Sequence, residues 1–195
     1  MNRTSVNALS QTSSAVTLQG RASPISFAAG QTMQWQANKI AGSHKGTVPL
    51  TSGSLDLNGT TEKGRFIFDL KALQNSDLSG EWKDMLETHL KSPDFFHVEA
   101  YPEALFVIQT ITPDGHDETL HTISGVLTIK GITKPLNFSA SIQEKGSDTI
   151  ISAKLSLNRL DWDIRYNSGK FFDPKALGDK LILDELEFAF TLTGA

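Results

Sequence analysis

Five histidines, His44, His89, His97, His116 and His121, are the side chains best suited to acid–base or metal chemistry near neutral pH. They share no metal-ligand motif and none stands in a recognised catalytic motif, so a zinc site assembled from them has no support in the sequence. Cysteine is absent, which excludes thiol catalysis, cysteine-ligated zinc and disulfides. Asp161 and Asp163 flank Trp162, and on a strand both would point to one face roughly 7 Å apart, a separation that suits glycoside hydrolysis. Arg159 and Arg165 share that parity while Leu160, Trp162, Ile164 and Tyr166 hold the other. An outward, ion-paired strip is therefore the simpler reading. No nucleophile elbow, phosphate loop or dinucleotide fingerprint is present. The sequence names no catalytic residue and calls for no metal or cofactor.

Composition narrows the partners. The net charge of −4 argues against nucleic acid, whose phosphates need a basic surface. No stretch reaches the ~18 apolar residues of a spanning helix. Residues 1–20 are rich in Ser, Thr, Asn and Gln and have no apolar core of an export signal. Two readings stay open: a cytoplasmic chain with a polar tail, or an exported one whose signal has been removed. The chain reads as a polar, flexible tail over 1–28 and one domain over 29–195, with a short strand possible at Ile25–Ala28.

The elements that must position any site are mostly strands. Met33, Trp35 and Ala37 alternate with polar residues, as do Phe66, Phe68 and Leu70, the mark of a strand with one buried face. Val48 and Leu50 share one parity and Leu55 and Leu57 the other, which predicts a bulge at Gly53. Further alternation runs through Leu105–Ile111, Ile123–Ile129, Leu136–Ile142, Ile151–Leu157, Leu160–Tyr166 and Leu186–Leu192. One segment changes period: Leu78, Trp82, Met85, Leu86 and Leu90 recur at three and four, predicting an amphipathic helix over 77–90. Asp77 or Ser79 would cap it, and Pro93 lies just beyond. Eight or nine antiparallel strands with one helix in a single domain predict an all-β fold closed into a barrel, which removes exposed sheet edges. The 11 phenylalanines fall largely on the apolar parity. A packed core and a barrel enclosing one ligand explain that pattern equally well.

Several motifs carry a resemblance to a known family. They are Gly42-Ser43-His44-Lys45-Gly46-Thr47-Val48 with Ser52-Gly53, Phe66 to Leu70, and His89-Leu90-Lys91-Ser92-Pro93-Asp94-Phe95-Phe96. Tyr101-Pro102, Ala104-Leu105-Phe106 and the run from Gly125 to Pro135 complete the set. In order and spacing, from about Trp35 to the C-terminus, they resemble the YceI-like family of bacterial lipid-binding proteins. The resemblance implies a lipocalin-like eight-stranded antiparallel barrel with a helix and long loop near one end. It also implies a polyisoprenoid, a quinone tail or another long-chain lipid in the interior, a periplasmic or secreted location, and homodimers in some members.

On that reading, the cavity would be lined by Trp35, Phe66, Phe68, Phe106, Leu127, Ile129, Phe138, Leu155, Trp162, Ile164, Phe188 and Phe190. A headgroup needs donors at a polar mouth, for which His44, His89, Lys91 and Ser92 are the candidates, with Asn167, Ser168 and Lys170 behind them. An enzyme acting on an isoprenoid-type ligand, or a stress-response or partner-binding barrel without lipid, are the alternatives.

Overall fold

The computed structural model describes residues 24–57 and 62–195. Its strands are β1 (Ile25–Phe27), β2 (Thr32–Lys39), β3 (Gly42–Leu55), β4 (Gly64–Asp69), β5 (Gln74–Asn75), β6 (Glu103–Pro113), β7 (Leu120–Ile129), β8 (Ile132–Lys145), β9 (Asp148–Asn158) and β10 (Ile182–Gly194). Helix α1 spans Gly80–Lys91 and a short α2 spans Pro174–Leu177, with 3-10 turns at Arg159–Trp162 and Gly178–Lys180. The sheet runs β10-β2-β3-β4-β6-β7-β8-β9 and closes through β9–β10, so eight antiparallel strands form a barrel. Apolar parity faces inward, and the alternation read from the sequence is the physical cause of closure: one face must leave water and the sheet has only itself to bury it against.

β1 adds to the sheet at one end, pairing Ile25 with Leu55 and Phe27 with Gly194. Its Ile25 and Phe27 are buried. This strand falls where a short one was expected, at Ile25–Ala28, within the stretch read as tail; residues 1–23 lie outside the described residues. β5 pairs with β3 through Gly46↔Asn75.

Three local expectations are corrected. The phase slip in β3 is absorbed at Thr51, between Leu50↔Phe68 and Ser52↔Ile67, and not at Gly53. Gly53 serves close approach instead: a Cβ there would lie 2.8 Å from the Phe66 ring and 2.9 Å from Phe27 Cβ. The helix begins at Gly80 with Ser79 at its N-cap, because Asp77 is committed elsewhere. Its carboxylate accepts from the Lys45 N–H at 2.8 Å and from Asn75 Nδ2 at 2.6 Å. Its apolar stripe also divides. Leu90 is buried and Leu86 half-buried, while Trp82 is 71% and Met85 63% exposed. Glu87 sets that rotation, since its carboxylate accepts the Asn75 backbone N–H at 2.7 Å and draws the Glu87 face onto β5.

The largest correction concerns Leu160–Tyr166, which is no strand. Asn158 caps the 3-10 turn by accepting from Leu160 N, and Asp163 leaves it in the left-handed region at φ 57°. Arg159 does not face outward but is 1% exposed. Its guanidinium donates to the carbonyls of Ile164 and Tyr166 at 2.8 Å, Ile182 at 3.1 Å and Leu183 at 3.2 Å, and to Asp184 at 3.3 Å. A planar five-donor fork is suited to gathering several carbonyls at once, and here it ties the long β9–β10 connection to the barrel. Asp161 and Asp163, with no shared strand face, form no catalytic carboxylate pair. Asp163 pairs with Arg165 on the exposed surface.

Candidate functional site

Ten of the twelve predicted lining residues converge on one internal cavity: Trp35, Phe66, Phe68, Phe106, Leu127, Ile129, Phe138, Leu155, Phe188 and Phe190. They come from β2, β4, β6 and then β7 to β10, and Val48 and Leu55 add β3 to the wall, so the whole circumference contributes. Trp162 and Ile164 lie outside its wall, because the residues expected to continue β9 turn away at Asn158. Both are buried beside the barrel end, where Trp162 Nε1 donates to the Leu127 carbonyl at 3.2 Å.

The wall runs from end to end. Leu55, Ile142 and Leu192 line it near β1, and Leu70, Leu73, Leu90, Phe95 and Phe96 line it beneath the helix. Leu90, Phe95 and Phe96 were not anticipated as wall residues; the Phe95-Phe96 pair past the helix was the available signal. Room for water centres amounts to about 100 Å³, well above the ~10–15 Å³ that one water needs. Polar groups are few there: among the described residues of the wall, Gln36 has its amide engaged with Asn38 at 3.0 Å. Trp35 Nε1 is buried without a hydrogen-bond partner among the described residues. Phe106, Phe138 and Phe190 pack ring to ring, at 5.5 Å and 6.3 Å between centroids, forming an aromatic band inside the wall.

The barrel has an open seam. The β8–β9 ladder runs only from Lys145↔Asp148 to Ala140↔Ala153, although both strands continue toward the helix. Leu136 and Phe138 on one side and Leu155 on the other line the cavity and are half-exposed. Pro135, which cannot donate to a ladder, sits in this edge-like half of β8.

The four mouth candidates do not reach the cavity wall. His44 bonds Asp77 through Nδ1 at 2.8 Å and Lys39 through Nε2 at 3.0 Å, which occupies both ring nitrogens. Burial acts to raise the Asp77 pKa, but the Lys45 N–H, His44 and Asn75 bonds outweigh it and hold the carboxyl below its usual 3.8. Lys91 faces Glu87 at 3.8 Å. Ser92 terminates the helix, its hydroxyl donating to the His89 carbonyl at 2.8 Å. These residues join in one surface network, His44–Asp77–Asn75–Glu87–Lys91, whose hub Asn75 is 1% exposed. That hub was invisible in the sequence, since a buried asparagine in a two-residue strand has no periodic signature. His89 differs: its Nε2 is buried and unpartnered among the described residues, and its ring lies between Phe95 and Tyr166. Burial holds its pKa below 6.5 against the pull of Asp94. Ser168 is fully buried and accepts from Lys170 N, and Asn167 accepts Ile182 N through its carbonyl, so both shape the connection. Among the described residues no group of three or more His, Asp or Glu side chains is placed to hold a metal.

Fold and cavity together define a lipocalin-like antiparallel barrel around an enclosed apolar space. The chain belongs to the YceI-like family, whose domain model matches residues 8–193. A UPF0312 protein of Pseudomonas putida is 33% identical over 93 residues, 44% of this chain and 47% of the relative. The YceI protein of Escherichia coli is 37% identical over 62 residues, 32% of this chain and 31% of its own. The matched stretches thus span between about a third and a half of these relatives. Among solved structures, a polyisoprenoid-binding domain from Saccharophagus degradans aligns with a TM-score of 0.65 at 13% identity, covering 88% of this chain and 97% of that one. BcnA of Burkholderia cenocepacia aligns with a TM-score of 0.63 at 18% identity, covering 85% and 96%.

Proposed function

We propose that this protein binds one long apolar lipid, a polyisoprenoid or isoprenoid quinone, inside the barrel and carries or stores it. The observation that supports this most is the cavity wall, apolar from one end of the barrel to the other. A polyprenyl chain is all hydrocarbon and asks for such a wall, with polarity confined to one end. The lone unpaired indole N–H of Trp35 is the kind of donor that would meet a single carbonyl or hydroxyl oxygen.

Among the described residues the wall holds no carboxylate, imidazole, hydroxyl or amine, so it favours binding over chemistry on the ligand. The polyisoprenoid-binding domain of similar fold points to the same ligand class. At ~0.8 kcal/mol per methylene, burial from water would nominally exceed any real affinity. The lipid's alternative home is a membrane, however, so transfer between the two is nearly balanced and reversible.

The direct test is organic extraction of the purified protein followed by mass spectrometry. A stoichiometric isoprenoid lipid is the expected result. Protein that comes lipid-free from cells and takes up none of a panel of polyprenols and quinones would overturn the reading.

A further inference from the structure

The barrel's two ends differ in a way that the cavity alone does not require. Strand directions gather residues 40–41, 70–102, 130–131 and 159–181 at the helix end, and 28–31, 56–57, 62–63, 114–119 and 146–147 at the other. Singly scattered exposed apolar side chains are ordinary on a soluble surface. Here they are not scattered. Every large hydrophobic residue that stands exposed among the described residues belongs to the helix end. Ile40 caps the β2–β3 hairpin at 64% exposure, Trp82 and Met85 stand off α1, and Phe171 and Phe172, each 49% exposed, project from the β9–β10 connection. Tyr101 and Leu183 lie at the same end.

Charge separates the ends less sharply. Charged groups of both signs adjoin the exposed apolar ones at the helix end: Lys39 beside Ile40, Glu81 and Lys83 on either side of Trp82, Asp84 beside Met85, Lys170 beside Phe171 and Asp173 beside Phe172, with Arg165 stacked 4.7 Å over the Phe171 ring. The opposite end places Asp56, Glu62, Asp114, Asp117 and Glu118 in its connections against Lys63. Aromatic and aliphatic side chains gathered at one end, with acids prevailing at the other, match the chemistry of a bilayer interface approached in one orientation.

Leu90, Phe95 and Phe96 close the cavity at that end, and the unpaired half of the β8–β9 seam lies toward it.

We propose that the helix end docks on the surface of a phospholipid bilayer. Trp82, Met85, Phe171 and Phe172 enter the headgroup–acyl boundary. Docking places the seam against the acyl region, so that an apolar chain passes between cavity and membrane without crossing water. That purpose rests on the carrier reading; docking itself is measurable without cargo.

The test is flotation of the full chain with vesicles of phosphatidylcholine and phosphatidylglycerol, compared with phosphatidylcholine alone. Two double variants, Trp82→Ser/Met85→Ser and Phe171→Ser/Phe172→Ser, touch none of the cavity wall. The wild type should float with the vesicles, and each variant should lower the bound fraction about tenfold or more while melting as the wild type does. Trp82 is the exposed one of the three tryptophans, so brominated lipid should quench wild-type emission and leave that of Trp82→Ser/Met85→Ser unaffected. Failure of the wild type to float, or unchanged binding in both variants, would overturn the proposal. So would a dimer in sedimentation that the same substitutions dissolve, because a second copy would then be the occupant. If the protein floats but yields no lipid on extraction and takes none up, docking stands and the carrier reading falls.

Discussion

The imidazole of His89 lies 4.3 Å from the ring of Tyr166, centroid to centroid, and so joins the last turn of α1 to the β9–β10 connection. Helix α1 closes the cavity there through Leu90, and this contact ties it to the connection. Its electrostatics are those of a neutral ring, because burial holds the imidazole pKa below 6.5.

A pH dependence follows. The folded pKa is depressed, so the unfolded chain takes up this proton first as pH falls through 6.5. Stability from this group is complete above that value, declines below it, and levels off beneath the folded pKa. Melting temperatures of wild type and His89→Gln, measured from pH 8 to 5, should run parallel above pH 6.5 and converge or cross below it, the wild type losing more. Parallel curves throughout would show that His89 does not carry the effect.

Arg159 should be among the most costly side chains to remove. Substitution by leucine leaves four carbonyls and the Asp184 carboxylate without their buried donor. A loss of about 3 kcal/mol is expected from chemical denaturation, with proteolysis first appearing in residues 163–181. Arg159→Lys should recover little, since an ammonium cannot span the same acceptors. Full stability in either variant would contradict this role.

Gly46 tests the seating of Trp35. A Cβ at this position would lie 1.9 Å from the Gln74 carbonyl oxygen and 2.7 Å from the Trp35 ring. Backbone cannot yield as a side-chain tip would, so Gly46→Ala should cost about 2 kcal/mol or more and shift Trp35 fluorescence. The same change at Gly146, with nothing within 4 Å but φ of 65°, should cost about 1 kcal/mol, from backbone strain alone.

Most of the barrel was legible because period-two alternation is enforced by one-sided burial, and it survives in nearly every strand. It misled at Leu160–Tyr166, where apolar and charged residues alternate as in a strand. A capping asparagine and an arginine with five buried acceptors make a turn more favourable there. Side-chain parity cannot reveal that, because Arg159 is charged yet buried. The same limit applied to α1: the spacing of Trp82, Met85, Leu86 and Leu90 announced a helix, while its rotation was decided by Glu87 bonding to Asn75, a contact across the fold. Ten lining residues were readable since parity on successive strands of a closed sheet has only one inside. The mouth was less so, as His44, Lys91 and Ser92 find their partners in local networks that sequence order conceals.

The most direct measurement of the central claim is titration of a fluorescent long-chain isoprenoid into wild type and Ala104→Phe, with thermal melts of both. Ala104 lines the cavity beside Phe68, its partner across the β4–β6 ladder. Filling a true cavity should weaken binding about tenfold or more and leave the melting temperature nearly unchanged, whereas adding a ring to a solid core costs about 1–3 kcal/mol. Tight binding by the wild type, lost in a variant of undiminished stability, is the predicted result. Equal binding by both proteins, or no binding by the wild type together with a destabilised variant, would contradict an interior that holds lipid.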